Sequence, residues 1–485
     1  MTNFRTVTLL TILAAATLAA QSASEERIRR IEAGLLPPVI LKGQPLRTSR
    51  LEDRMRQLKI PGVSVAVFDK GTIEWTRAWG VADATSGQKV DPDTLFQAAS
   101  LSKPVAAAAA LALVAKGRMS LDADINTYLT TWKLPDNEFT AKQKVTLRHL
   151  LSHTGGVTVS GFRGYAANEA IPTPLQLLDG TKPANSAAVR VDIPVGTRYR
   201  YAGGGYSIVQ LAIEEVTKKS FADAARELVL EPLGMRHSTY AQPLPAELHR
   251  SAATGHRASG EPVAGRWHIH PEQAAAGLWT TPEDLARFAI AIQQMAAGTA
   301  KTGIMSRELA AAMMQPVIDD YGLGLGISGT GRETRFGHGG SNVGFRCTFM
   351  AFKDSASGVA VMTNGDRGAE ILQDIVRAVA REYGWPGLAP LERTLGSADP
   401  AAYKDFAGRY EIPIRSPPVV MVIETDGGKL YRGSGPSRVE LLPESSATFF
   451  AMDSDMRVEF IRDPNGKVTE ARVWQGGIER KATRR

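Results

Sequence analysis

The chain has 485 residues, of which 43% are hydrophobic and 22% are charged. This composition is typical of a globular protein with a full hydrophobic core, and it excludes collagen-like, low-complexity and largely disordered chains. A single cysteine excludes an intramolecular disulfide framework and a zinc cluster built on cysteines. The net charge of +7 comes from 57 basic and 50 acidic residues without a basic run of five, so a nucleic-acid partner has no support.

The N-terminus has the pattern of a secretory signal peptide. Arg5 precedes an apolar stretch over residues 7–20, and small residues follow up to residue 24. The alternative is a membrane anchor, but the stretch is shorter than the roughly 20 residues that a spanning helix needs. We therefore predict a signal peptide at 1–23 and an exported protein, periplasmic or secreted. No integral membrane span is expected after removal of the signal.

The first 385 residues are predicted to contain both strands and helices. A buried strand at 60–68 is followed by its hairpin partner at 72–81, and an alanine-rich run predicts a buried helix at 105–116. Further helices are predicted at 146–152, 206–218, 221–229 and 281–292. Strands at 345–352 and 358–363, with Cys347 as a core thiol, precede a helix at 373–383.

A stretch rich in glycine and proline at 384–390 predicts a domain boundary. We place the first domain at 36–388, a linker at 389–399 and a second domain at 400–485. The second domain consists of short strand candidates separated by glycine turns. These strand candidates lie at 419–424, 430–432, 448–452, 457–462 and 468–474.

Ser100 and Lys103 lie where the alanine-rich helix is predicted to begin. Positions i and i+3 share a helix face, so the lysine amine can reach the serine hydroxyl. A lysine that is desolvated in an apolar pocket can have its pKa lowered enough to act as the base for a serine nucleophile. Taken alone, the same pair also fits a helix-capping serine beside a solvated lysine.

Two later blocks are rich in glycine and carry candidate polar groups. The segment Arg200-Tyr-Ala-Gly-Gly-Gly-Tyr206 presents Tyr201 beside a loop that a substrate can approach closely. The segment Phe336-Gly-His-Gly-Gly-Ser-Asn342 fits a strand with a bare edge that accepts an extended substrate. Each block alone also fits an ordinary structural turn.

In this order, the three blocks resemble the active-site signature of the serine β-lactamase and penicillin-binding protein superfamily. The resemblance is closest to its class C β-lactamase-related branch, which includes D-alanyl-D-alanine carboxypeptidases, D-aminopeptidases and esterases. It implies an α+β fold of the β-lactamase/transpeptidase type, with an antiparallel sheet flanked by helices and a helical subdomain. The resemblance spans roughly residues 36 to 385 and includes Thr146-Leu-Arg-His-Leu-Leu-Ser-His-Thr-Gly-Gly156. We interpret the two histidines of this segment, His149 and His153, as packing and turn residues.

The resemblance implies a role for each matching residue. Ser100 would be the acylated nucleophile, Lys103 the group that helps to deprotonate it, and Tyr201 an acid/base partner. The backbone N–H groups of Ser100 and Ser341 would form the oxyanion hole. Further residues would line the substrate-binding site, namely Gly203, His338, Gly339, Gly340 and Arg346. No metal and no organic cofactor is implied.

Two departures from the family pattern bear on the substrate. Gly203 stands where the family usually has an asparagine that contacts an acylamide group. His338 stands where the β-lactamases have a lysine, and a histidine is mostly neutral at pH 7. Arg346 on the next strand is a candidate replacement for that cation. Strand alternation alone does not decide which face of the sheet it occupies.

We therefore expect an exported serine hydrolase that cleaves an ester or amide bond of a small or peptide-like substrate through an acyl-enzyme. The alternatives are a β-lactamase or D-alanyl-D-alanine carboxypeptidase, and a catalytically silent binding or regulatory module on the same fold. The segment Tyr403-Lys-Asp-Phe-Ala-Gly-Arg-Tyr410 resembles a lipocalin-like β-barrel module, which is either an accessory or a ligand-binding domain. The oligomeric state stays open.

Overall fold

The structure is a computed structural model that describes residues 22–413, 419–435, 438–476 and 478–485. The signal peptide predicted at 1–23 therefore lies outside the described residues, apart from its last two. The chain forms two compact units, one containing residues 52–372 and the other residues 29–51 and 373–485. Within the described ranges, no helix has the length and apolar character needed to cross a membrane.

Twelve α-helices are described, and several begin earlier than the sequence predicts. In chain order they are α1 (22–33), α2 (Leu51–Leu58), α3 (Ser102–Ala115), α4 (Leu147–Leu151), α5 (Pro174–Asp179), α6 (Gly203–Thr217), α7 (Phe221–Ala225), α8 (Gln273–Ala276), α9 (Pro282–Ala297), α10 (Arg307–Met313), α11 (Gly368–Tyr383) and α12 (Tyr403–Phe406). A π-helical turn, Arg226–Leu230, continues α7. Thr281 caps α9 by accepting a hydrogen bond from the Asp284 backbone N–H.

Eighteen strands are described. In chain order they are β1 (Val39–Leu41), β2 (Gly62–Asp69), β3 (Thr72–Gly80), β4 (Phe96–Gln97), β5 (Trp279–Thr280), β6 (Gly326–Ser328), β7 (Arg335–Asn342), β8 (Phe345–Phe352), β9 (Gly358–Thr363), β10 (Leu391–Arg393), β11 (Gly408–Ile412), β12 (Val419–Asp426), β13 (Lys429–Arg432), β14 (Val439–Pro443), β15 (Thr448–Ala451), β16 (Arg457–Arg462), β17 (Val468–Gln475) and β18 (Ile478–Arg484). The short pair β1 and β10 is parallel and has no counterpart in the predictions.

The first unit is built on a six-stranded sheet in the order β3-β2-β9-β8-β7-β6. Every neighbouring pair in this sheet is antiparallel, which confirms the predicted fold class. Helix α9 packs on β2 and β9, while α3 packs against α6 and α8 in a helical layer. Almost all of α3 is buried, because alanines fill its centre and let the neighbouring helices approach closely.

The second unit contains a closed barrel of the eight consecutive strands β11 to β18, in which β18 pairs with β11. This confirms the predicted C-terminal barrel. An eight-stranded barrel has an interior just wide enough for side chains to fill. Aromatic rings occupy this one: Phe406 stacks on Phe460 with ring centroids 4.6 Å apart, and Phe449 lies 5.8 Å from Phe460. The interior is therefore a packed core.

Candidate active site

Ser100 lies in a short 3-10 turn, Ala99–Leu101, just before α3 begins at Ser102. The sequence predicts Ser100 at the helix start, and the structure places it two residues earlier. Ala99 has a φ of 50°, a left-handed conformation that costs a non-glycine residue roughly 1–2 kcal/mol. This strained turn holds the Ser100 side chain at the end of the helix rather than on its side.

Lys103 is the buried partner of Ser100. Its side chain is only 2% exposed, and its Nζ donates hydrogen bonds to Ser100 Oγ at 3.0 Å and to the carbonyl oxygen of Ala275 at 2.8 Å. Burial lowers the pKa of Lys103 to about 7, because the charged ammonium loses its hydration. A substantial fraction of Lys103 is therefore neutral near pH 7 and able to accept a proton from the serine.

Tyr201 comes from the segment just before α6 and completes this group. The Nζ of Lys103 lies 4.9 Å from the centroid of the Tyr201 ring. Burial raises the pKa of Tyr201 strongly, and hydrogen bonding with the Ser100 side chain offsets only part of that rise. The phenol is protonated at neutral pH. The structure thus brings together the three predicted catalytic residues around one hydroxyl group.

The third predicted block forms β7, which packs against the turn that carries Ser100. A Cβ atom on Gly340 would lie 2.3 Å from the carbonyl oxygen of Ala98, so only glycine permits this close approach. Strand β6 pairs with β7 no further than Gly337. In the part of the chain that the structure describes, residues 338–342 of β7 thus have no strand partner on that side. This bare edge can pair with an extended substrate.

His338 is a neutral group beside this edge. Its Nδ1–H donates to the carbonyl oxygen of Gly339 at 2.6 Å, and its ring centroid lies 6.0 Å from that of Tyr201. Burial and the nearby charge of Lys103 lower the pKa of His338 to about 4. His338 therefore places a polar but uncharged ring at the position where the family pattern of the β-lactamases has a lysine.

Arg346 is the predicted site residue that the structure does not bring to the group. It pairs with Ser341 across β7 and β8, and the neighbouring Cys347 points to the other face, toward the 3-10 turn. The Arg346 guanidinium donates to the carbonyl oxygen of Asn342 at 2.6 Å and forms an ion pair with Asp366 at 3.3 Å. The guanidinium is thus engaged by protein groups on the face opposite Cys347.

Gly203 is the first residue of α6, and there is no room beside it for a side chain. Its N–H donates to the carbonyl oxygen of Ser160 at 3.1 Å. A Cβ atom on Gly203 would lie 2.9 Å from Cε2 of the Phe162 ring. The contribution of Gly203 is therefore close packing of α6 against the 160–162 segment rather than a polar contact with substrate.

The site has an aromatic wall that the sequence motifs do not reveal. His153 lies 4.4 Å from Tyr201 and 4.9 Å from Tyr321, centroid to centroid, and Tyr199 lies 5.5 Å from Tyr321. These rings come from segments far apart in the chain, so no spacing signals their assembly. His149, by contrast, belongs to the capping box of α4, in keeping with its interpretation as a turn residue.

The lone cysteine is a core group. Cys347 Sγ lies 2.9 Å from the carbonyl oxygen of Ala98, and burial raises the pKa of the thiol strongly. It therefore stays protonated and is a poor nucleophile. Across the described ranges, no group of three or more His, Cys, Asp or Glu side chains is placed to hold a metal ion.

Comparison with known proteins identifies relatives for both units. Residues 48–382 match the Beta-lactamase family, and residues 392–479 match a domain of unknown function (DUF3471). The chain is 30% identical to Esterase EstB of Burkholderia gladioli over 240 residues, which are 48% of this chain and 60% of the esterase. It is 26% identical to Penicillin-binding protein 4 of Amycolatopsis lactamdurans, with 73% of this chain and 93% of that protein covered.

A third relative is the D-aminopeptidase of Brucella melitensis, 26% identical over 82% of this chain and 74% of that enzyme. Among solved structures, an octameric penicillin-binding protein homologue from Pyrococcus abyssi superposes with a TM-score of 0.61 at 22% identity. That match covers 89% of this chain and 98% of the homologue. SurE superposes with a TM-score of 0.54 at 22% identity, over 90% of this chain and 97% of SurE. These likenesses show a shared fold.

The close approach of β7 to the Ser100 turn predicts different costs for two neighbouring glycines. Gly340→Ala should destabilise the protein by about 1–3 kcal/mol, because the new methyl group overlaps backbone that cannot move freely. Gly339→Ala is the matched control, since its Cβ would meet nothing nearer than 3.9 Å. Urea unfolding of both variants checks this. Equal midpoints would contradict the packing described for β7.

Proposed function

The chain belongs to the beta-lactamase family of serine hydrolases, and we propose that it cleaves ester or amide bonds through an acyl-enzyme formed on Ser100. The observation that carries this proposal is the buried Lys103 amine, 3.0 Å from the Ser100 hydroxyl. A base with a pKa near 7 is well matched to activating a serine at neutral pH. The presence of Ser100, Lys103 and Tyr201 together also argues against a catalytically silent module.

The proposed reaction follows from the contacts around Ser100. Neutral Lys103 takes the hydroxyl proton while Oγ attacks the substrate carbonyl carbon. The proton then passes through the Tyr201 phenol to the leaving group, and water releases the acyl group in a second cycle. We propose that the backbone N–H groups of Ser100 and Ser341 stabilise the oxyanion. Loss of one such donor typically costs about 10²- to 10³-fold in rate.

The charges around the group favour a substrate without a carboxylate beside the scissile bond. His338 is neutral at pH 7, and the Arg346 guanidinium is bound to Asn342 and Asp366 on the opposite face of the sheet. A β-lactam or a D-alanyl-D-alanine peptide would present its carboxylate to neutral His338 instead of the lysine that the family pattern has at this position. We therefore propose esters and uncharged amides as substrates, in line with the names of the esterase and D-aminopeptidase relatives.

We further propose the location and domain roles that the sequence predicts. Export to the periplasm or medium fits the relatives named as penicillin-binding proteins. The hydrolase domain would occupy residues 36–388, the linker residues 389–399 and the accessory barrel residues 400–485. The aromatic core of the barrel supports an accessory role over ligand binding inside it.

The pKa of Lys103 sets the expected pH dependence of the reaction. Since the neutral amine is the base, kcat/KM should fall about tenfold per pH unit below pH 7 and level off above about pH 8. Burial lowers the pKa of His338 to about 4 and that of His153 well below its ordinary value, so neither histidine accounts for a transition near pH 7. Initial rates between pH 5 and pH 9 check this. A flat profile would refute Lys103 as the base.

Lys103→Arg tests the same assignment by substitution, because an arginine guanidinium does not lose its proton in proteins and so cannot act as the base. This variant should stay inactive at every pH. Lys116→Arg, at the exposed end of α3, is the control and should keep the wild-type profile. Recovery of Lys103→Arg at high pH would show that a group other than Lys103 accepts the proton.

Substrate preference separates the proposed activity from that of a β-lactamase. A short-chain p-nitrophenyl ester should be hydrolysed with at least about tenfold higher kcat/KM than nitrocefin, because a charge-assisted hydrogen bond of about 1.5–3 kcal/mol is missing for the nitrocefin carboxylate. Ser100→Ala should abolish both activities. Ser102→Ala should retain turnover, since its hydroxyl bonds only to backbone. A preference for nitrocefin would establish the β-lactamase alternative.

A further inference from the structure

We infer that His153 is a positioning residue for Tyr201, a role that rests on the proposed function of this site. His153 is 2% exposed and follows α4, 48 positions before Tyr201 in the chain. Nothing in the motif spacing connects the two residues. The connection is made by hydrogen bonds to the backbone on both sides of the tyrosine.

His153 binds both chain neighbours of Tyr201. Its carbonyl oxygen accepts a hydrogen bond from the N–H of Arg200 at 2.8 Å. Its ring Nδ1 accepts a second one from the N–H of Ala202 at 3.1 Å. The Ala202 bond fixes the peptide plane that follows Tyr201, and the Arg200 bond anchors the chain one residue before it. The direction of the Tyr201 side chain is therefore set largely by His153.

The backbone of His153 is arranged for this double contact. Its φ of 58° is left-handed, a conformation that asparagine tolerates far better than most residues do. The ring also packs on the ring of Tyr201, with centroids 4.4 Å apart and planes at 42°. One residue thus holds the main chain of the 200–202 segment and supports the phenol ring directly.

The ring can hold this position because it stays neutral. Nδ1 accepts the Ala202 bond, so the single ring proton lies on Nε2. Burial, together with the charge of Lys103, keeps the pKa of His153 well below its ordinary value. The acceptor at Nδ1 is therefore preserved at the pH at which Lys103 works.

Two substitutions separate the hydrogen bond from the packing. His153→Phe keeps an aromatic ring but removes the acceptor, so Tyr201 should move away from Ser100. A displacement of about 1 Å can cost on the order of 10²-fold in rate, and we expect kcat for the ester to fall by that factor with KM changed less than about threefold. His153→Asn supplies an oxygen near the position of Nδ1 and should restore kcat to within about tenfold of wild type.

Hydrogen–deuterium exchange of peptides that cover residues 199–203 is a readout that is independent of catalytic activity. Exchange of the Ala202 amide should be faster in His153→Phe and close to wild type in His153→Asn, because only this amide bonds to the ring. The control is His149→Phe. This histidine lies in the same segment, but its ring bonds to Thr146. That variant should lower Tm without changing exchange at 199–203.

The outcomes distinguish this inference from the proposed function. If His153→Phe keeps both kcat and exchange at wild-type values, the positioning role is refuted. If Phe and Asn variants lose activity and Tm to the same extent, His153 acts through packing alone, which also refutes it. If the wild-type enzyme hydrolyses neither ester nor amide, the proposed function is refuted. The contact between His153 and the Tyr201 segment then has no catalytic role, even if hydrogen–deuterium exchange shows the predicted hydrogen bond.

Discussion

The burial of one lysine amine beside one serine hydroxyl is the constraint on which the rest of the site depends. Transfer of an ammonium group from water into a protein interior is costly, and the usual response is loss of the proton. Lys103 meets this condition with a pKa of about 7 and with acceptors at Ser100 and Ala275. The alanine-rich centre of α3 matters here, because small side chains let α6 and α8 approach closely enough to exclude water. The same packing that stabilises the unit therefore tunes the base.

The electrostatic character of the site follows from what surrounds this amine. His338 and His153 are both neutral, and their pKa values are lowered in part by the charge of Lys103 itself. The tyrosines of the wall have raised pKa values and remain protonated. Arg346, the candidate replacement for the family's lysine, is bound to Asp366 on the other face of the sheet. A pocket of neutral polar rings around one titrating amine suits the cleavage of uncharged acyl groups better than the capture of a carboxylate.

Much of this arrangement can be predicted from the sequence because the motifs are local. The spacing of Ser100 and Lys103 predicts their contact, and the antiparallel sheet and the barrel follow from strand patterns and turns. The face of the sheet on which the Arg346 side chain lies is not predictable. Neighbouring residues of a strand point to opposite faces, but the sequence does not say which face packs against the helices. The strained φ of Ala99 and the contact of His153 with the Tyr201 segment are also hidden, because both depend on backbone geometry fixed by packing between distant segments.

Activation of Ser100 by Lys103 can be tested by covalent labelling of the serine with a fluorophosphonate, with the modified peptide identified by mass spectrometry. We expect an adduct on Ser100 in the wild-type protein. In Lys103→Met the labelling rate should fall by about 10²- to 10⁴-fold, the usual contribution of a general base, while the apolar side chain keeps the unit folded. An adduct on a different residue, or an unchanged rate in Lys103→Met, would show that a buried neutral lysine does not activate Ser100.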